Sequence, residues 1–138
     1  MEPAVYQLLN TALATHPGKE LDDEHVQTLR AFVSDNVLLA AFDIVDKSFV
    51  NKLNLPGGRS MFEVQGATSA YIVTLGIESL SPCPASCTCP SFIHLTFSTG
   101  PTVMCKHILA VLIGQSMSRL TEKGLDLDEL CALLKDHL

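Results

Sequence analysis

The chain has 138 residues, 47% of them hydrophobic and 17% charged, with a formal net charge of -6. That length and apolar share match one globular domain able to remove roughly two-thirds of its unfolded surface from water, and they exclude disorder from low hydrophobicity. No apolar run reaches the roughly eighteen residues of a membrane span, and the start MEPAVYQLLNTALATH lacks the basic flank of a secretory signal, so a soluble, intracellular protein is expected.

Val5, Leu8, Leu9, Ala12 and Leu13 fall on one helical face, Pro3 suits the first turn, and HPGK ends the helix. Asp22, Asp23 and Glu24 then favour a second helix start, followed by Val26, Leu29, Phe32 and Val33 on one face. Ser34 and Asp35 offer a cap for a third helix through Leu38, Leu39, Phe42 and Val45. Residues 1–46 therefore read as a helical part.

From position 48 the period changes. SFVNKLNL alternates in part, LPGGRS has turn composition, and MFEVQG and AYIVTLG alternate or run apolar with β-branched residues, which predicts a small antiparallel meander. Pro82, Cys83 and Pro84 cannot continue a sheet interior, so the cysteines that follow are expected on a turn. SFIHLTFS reads as a further strand broken by STGPT; Val103, Met104, Ile108, Leu109 and Leu112 then suggest a buried helix to about Leu120. Leu127, Leu130, Cys131, Leu134 and Leu138 mark a last amphipathic helix. Without a repeat or a long linker, the expectation is a single α+β domain over 1–138.

Three of the five cysteines lie between Cys83 and Cys89, and a fourth stands two residues before a histidine. In a reducing compartment such clustered thiols more often hold metal than form a bridge, and an odd count agrees. Cys87, Cys89, Cys105 and His107 form C-x-C, fifteen intervening residues, then C-x-H. A structural zinc ion takes four nitrogen and sulfur ligands in a tetrahedron, usually two from a tight turn and two from another element. Inside a formed helix, positions i and i+2 diverge by about 200°, so Cys105 and His107 must lie at the helix entry. Cys131 reads as a small buried hydrophobe, and His94 as a strand residue. Cys83, four before Cys87, is left open as a ligand, a cap or a packing residue.

Three thiolates and one imidazole leave zinc a local charge of about -1 and no open coordination position, which argues against catalysis. The H-x-E and P-C-x-x-C pattern of zinc deaminases is absent, as is a redox C-x-x-C. There is also no phosphate-binding G-x-x-x-x-G-K loop, and Gly57-Gly58 reads as a hairpin turn. The charge is uneven: residues 1–46 sum to -6, residues 47–119 to +3 and residues 120–138 to -3. A mildly basic centre between acidic ends neutralises few phosphates, so tight DNA binding by this chain alone is disfavoured.

C-x-C followed at a distance by C-x-H resembles the SWIM zinc-finger family, whose small fold is two strands and a helix; the match places a zinc-bound ββα finger at about 68–120. The family's longer form adds an alanine three past the histidine, and Ala110 matches it, where a small side chain lets the ligand-bearing hairpin approach. AFDIVDKSFV, GRSMFEVQG, CTCPSF and CKHILAVLIGQSM further resemble the SWIM-domain subunits of the Shu complex, over about 38–120. That resemblance implies a nuclear, non-catalytic subunit paired with a RecA-type recombinase paralogue, promoting recombinase filaments in homologous recombination and meeting DNA through the complex. It implies neither a membrane nor a small-molecule substrate. The competing reading is a zinc module that binds single-stranded DNA directly, with Lys47, Lys52, Arg59, Lys106 and Arg119 as candidate contacts.

Overall fold

The computed structural model describes residues 23–31, 33–66, 68–75, 85–90 and 105–137. The helix expected around Val5–Leu13, the SFIHLTFS strand, Cys83 and His94 lie outside the described residues.

Helix α1 (Asp23–Arg30) has Asp23 and Glu24 in its first turn and Arg30 in its last, each sign where the helix dipole favours it. Its anchor is Leu29, buried in the core. Helix α2 (Asp35–Asp46) begins at the expected cap: the Ser34 hydroxyl accepts a hydrogen bond from the Val37 N–H at 3.3 Å. It buries Leu38, Ala41, Ile44 and Val45 along one face. The chain then reverses at Ser48, whose φ of 58° lets the Phe49 N–H reach Ile44 O and the Ser48 N–H reach Val45 O, a Schellman ending built on serine.

Strands β1 (Val50–Asn54), β2 (Ser60–Gln65), β3 (Ala70–Leu75), β4 (Ala85–Cys87) and β5 (Thr121–Gly124) form one sheet in the order β4-β3-β2-β1-β5. The predicted meander is β1-β2-β3, antiparallel throughout, and LPGGRS is its first turn, with Gly57 and Gly58 at φ 88° and 82°. Two strands were not expected. The segment read as a turn pairs instead with β3, Val73 opposite Cys87, so Cys87 closes a short strand. β5 runs parallel to β1, Asn51 opposite Thr121 through Asn54 opposite Gly124. TEKG has no apolar alternation; its place comes from the open edge of β1, a contact some 70 residues away in the chain.

The register puts Val50, Phe62, Val64, Val73 and Cys87 on one face, all buried. Against it lies helix α3 (Lys106–Ser116), which is buried without interruption from His107 to Gly114 and touches β1, β2, β3 and β4 as well as α2. A helix apolar all round must be interior, and α3 is the central rod of the domain. It also ends in a Schellman motif on serine, with Ser118 at φ 55° and the Arg119 N–H bonded to Gly114 O at 2.8 Å. Helix α4 (Leu127–His137) follows β5. No helix among the described residues is long and apolar enough to cross a membrane.

Candidate metal centre

Cys87 ends β4 and Cys89 follows two residues later; Cys105 is the N-cap of α3 and His107 lies in its first turn. The Cys105 backbone is extended, with φ -79° and ψ 164°. That extended cap residue turns its thiol toward the same point as the His107 ring, as the i, i+2 spacing requires at a helix entry. All four side chains are buried, and one donor atom from each lies within 4.8 Å of the others. The Cys87 Sγ stands 3.8 Å from His107 Nδ1. A tetrahedron with zinc–sulfur bonds near 2.3 Å and zinc–nitrogen bonds near 2.0 Å has ligand–ligand edges of about 3.4–3.8 Å. The donor set therefore fits zinc in its chemistry, and the Cys87–His107 edge has the tetrahedral length, with Nδ1 as the histidine donor facing that sulfur.

The electrostatics of the metal-free cluster agree with this. Hydrogen bonding to Cys105 and Cys89, and then burial, push the Cys87 thiol far above the ordinary value of 9.0. At Cys105 the bond with Cys87 pulls downward, but Cys89 and burial outweigh it and push the thiol up to about 12. Buried thiols packed this closely cannot ionise together without a cation. A divalent ion would supply that charge, with Cys87, Cys89, Cys105 and His107 as the four residues placed to hold it.

Two supports of the site were not visible in the spacing. Thr88, between the first two cysteines, donates its N–H to Ile72 O at 3.1 Å, and its hydroxyl accepts the Ile72 N–H at 3.0 Å. This clamps the knuckle to β3. Tyr71 lays its ring against His107, with centroids 4.7 Å apart and planes tilted by 42°. A threonine between paired cysteines is the only sequence signal for the first; the second depends on β3 passing beneath α3. Ala110, one turn beyond His107, is fully buried in the core.

Three of the five basic candidates stand beside carboxylates. Lys47 pairs with Asp43 at 2.9 Å, Lys52 with Glu122 at 3.9 Å and Arg119 with Asp46 at 3.0 Å. Arg59 stands exposed in the β1–β2 turn, and exposed Lys106 shares with Lys47 a cleft of about 210 Å³ beside His107. Cys131, expected to be buried, is exposed on α4, because that helix turns its apolar side away from the sheet.

The SWIM zinc finger model matches residues 71–113, spanning β3, β4 and most of α3. Zinc finger SWIM domain-containing protein 7 of Danio rerio is 33% identical over 112 residues, covering 80% of this chain and 75% of the relative. The protein of the same name from Homo sapiens is 29% identical over 120 residues, covering 83% and 79%, and that of Mus musculus 28% over 111 residues, covering 78% and 66%. No solved structure matches the chain significantly. With a buried Cys3His cluster on a β-hairpin and the helix behind it, the chain belongs to the SWIM zinc-finger family of zinc finger SWIM domain-containing protein 7.

Proposed function

We propose that this protein is a non-catalytic zinc-binding subunit that pairs with a RecA-type recombinase paralogue and promotes recombinase filament assembly during homologous recombination in the nucleus. The observation that carries the non-catalytic part is the closure of the site: four buried protein donors surround one point, leaving no position for water or substrate. A metal so enclosed supplies architecture, tying β4 to the entry of α3. The pairing and the recombination role are supported by the likeness to SWIM-domain subunits of the Shu complex. The competing reading of direct single-strand binding has the weaker support, because residues 47–119 carry a net charge of only +3 and neutralise few phosphates.

The test is co-purification from native cells followed by mass determination of the intact complex. One zinc per chain together with a RecA-type companion is the expected result. A stable, zinc-loaded monomer indifferent to the paralogue would overturn the pairing. Salt-dependent binding of the isolated chain to single strands, abolished by charge reversal at Lys47 and Lys106, would favour the alternative.

A further inference from the structure

Two successive residues of β3 hold the two halves of the ligand set. Alternate side chains of a strand point to opposite faces. Tyr71 lies opposite Val64, and Val64 opposite Val50, so the Tyr71 ring is on the face that packs against α3. There it meets His107, with ring centroids 4.7 Å apart. Ile72 turns its side chain to the other face and gives its backbone N–H and C=O to Thr88, between Cys87 and Cys89. The C-x-C pair is thus registered on Ile72 and the C-x-H pair on Tyr71, by contacts that contain no metal.

The Tyr71 ring owes its place to Gly66. The Gly66 N–H donates to Ser69 O at 2.8 Å and closes the connection from β2 to β3. A Cβ at Gly66 would stand 2.7 Å from Tyr71 Cε2 and 2.7 Å from Ser69 O, closer than packed atoms tolerate. Gly66 is not among the glycines of positive φ, so space and not the dihedral requires glycine here. Any larger residue must displace the ring or the turn.

Imidazole can offer a metal either of its nitrogens. The χ2 torsion of histidine is roughly two-fold, so the side chain alone does not choose between Nδ1 and Cδ2 toward the sulfurs. In the structure Nδ1 stands 3.8 Å from Cys87 Sγ, and the buried ring has Tyr71 against it. An aromatic ring at that distance fills the space in which the imidazole would turn. We propose that Tyr71 is the positioning residue of the histidine ligand: seated over Gly66, it holds His107 with Nδ1 toward the cysteines and thereby raises the zinc affinity of the site. This role rests on the zinc site itself and is independent of the partner proposed above.

The test uses the full chain loaded with zinc. Chelator competition reads affinity, side-chain nitrogen NMR of His107 reads which nitrogen holds the metal, and thermal melting reads global stability. Tyr71→Leu is expected to weaken zinc by about tenfold and to remove the single Nδ1-bound signature. Tyr71→Phe, which keeps the ring, is expected to restore both to within about twofold of wild type. Gly66→Ala is expected to weaken zinc by about threefold or more, a loss that disappears in the Tyr71→Leu background, while any drop in melting temperature from the Ser69 contact persists there. Phe62→Leu, a buried change on the same sheet face, is expected to lower the melting temperature and leave affinity and donor atom alone. Should Tyr71→Leu not fold, Tyr71→Met is read in its place. Unchanged affinity and donor atom without the ring, equal zinc loss in Phe62→Leu, or an additive effect of Gly66→Ala overturns the positioning role and leaves the zinc site standing. Absence of zinc from wild type overturns both.

Discussion

Helices α3 and α4 are both eleven residues long, and they are held by opposite means. α3 has no side-chain cap hydrogen bond at Cys105, because the thiol in the capping position faces the metal cluster. Its first turn is secured by ligands, and its body by a core that meets it on every side. α4 has a full capping box and an apolar stripe that meets solvent. Local capping of this kind contributes roughly 0.5–2 kcal/mol, whereas zinc contributes roughly 10–16 kcal/mol of apparent binding energy in small finger peptides. The central rod is therefore a product of tertiary structure and metal, and the last helix is nearly a product of its own sequence.

Removing the metal separates the two most sharply. Cys105→Ser, or chelation of zinc from wild type, is expected to release the ion and destabilise the β4–α3 region, with faster amide exchange there, while amide exchange in α4 stays near wild type. Uniform loss of protection across both helices would show that α4 depends on the core after all. Protons act in the same place with two opposite signs. Zinc binding must displace protons from Cys87 and Cys105, so its apparent affinity should rise by about two decades or more per pH unit around neutrality. Without zinc the sign reverses. Both thiols lie above their ordinary value of 9.0, so the metal-free fold keeps this stability below pH 9 and loses it as pH climbs toward about 12. Competition titrations from pH 6 to 8 and metal-free melting curves above pH 8 measure the two limbs.

Core packing gives the next contrast. Leu109 is fully buried in α3 and Leu134 is 40% exposed in α4. Leu109→Ala is expected to cost about 2–5 kcal/mol, and Leu134→Ala, in the isolated chain, about 0.5 kcal/mol or less. Ala110→Leu should cost about 1–3 kcal/mol by overpacking against the core, with the four ligands untouched and zinc still bound. Denaturant unfolding with zinc quantified at each point reads all three. A large cost at Leu134 in the isolated chain would mean that its stripe is covered from within.

How much of this was legible in the sequence divides along the same line. The α4 capping box is four consecutive residues, Asp126–Glu129, a pattern that needs no tertiary partner, and the amphipathic helix after it was readable from Leu127, Leu130, Cys131 and Leu134. The ligand quartet was readable too, because zinc imposes a spacing that survives ignorance of the fold. β4 and β5 were not. ASC stands between prolines and becomes a strand only because β3 offers it a partner, and TEKG only because the edge of β1 is open. The same applies to Arg119: as a sequence feature it was a free base in a mildly basic segment. The fold gives it Asp46, 73 residues away in the chain, as a partner that the sequence does not show. Which face of α4 turns inward is likewise a tertiary fact, so Cys131 was placed inside when it lies outside.

A finer probe of local control is the capping box itself. Asp126→Ala removes the acceptor of the Glu129 N–H and should cost about 1 kcal/mol, confined to α4. The expected signature is faster amide exchange over the first turn of α4 with no change in α3 or in zinc content. Ser34→Ala breaks the equivalent bond to Val37 at the start of α2. Because α2 packs on α3, that loss should reach the global melting temperature, and equal confinement of the two effects would erase the distinction between locally and tertiarily held helices.

The smallest effect expected is at the Arg119–Asp46 pair, which joins the ends of α3 and α2 across 3.0 Å. Both ends already close in Schellman turns, and the two side chains are 38% and 68% exposed, so solvent screens most of the attraction. A double-mutant cycle of Arg119→Gln and Asp46→Asn should give a coupling of about 0.2–1 kcal/mol, falling toward zero as salt rises to about 1 M. Coupling above about 2 kcal/mol, or coupling indifferent to salt, would mean that the pair is desolvated in solution. The α2–α3 seam would then be an electrostatic contact as well as an apolar one, and the contrast with α4, held by its own capping box, would narrow.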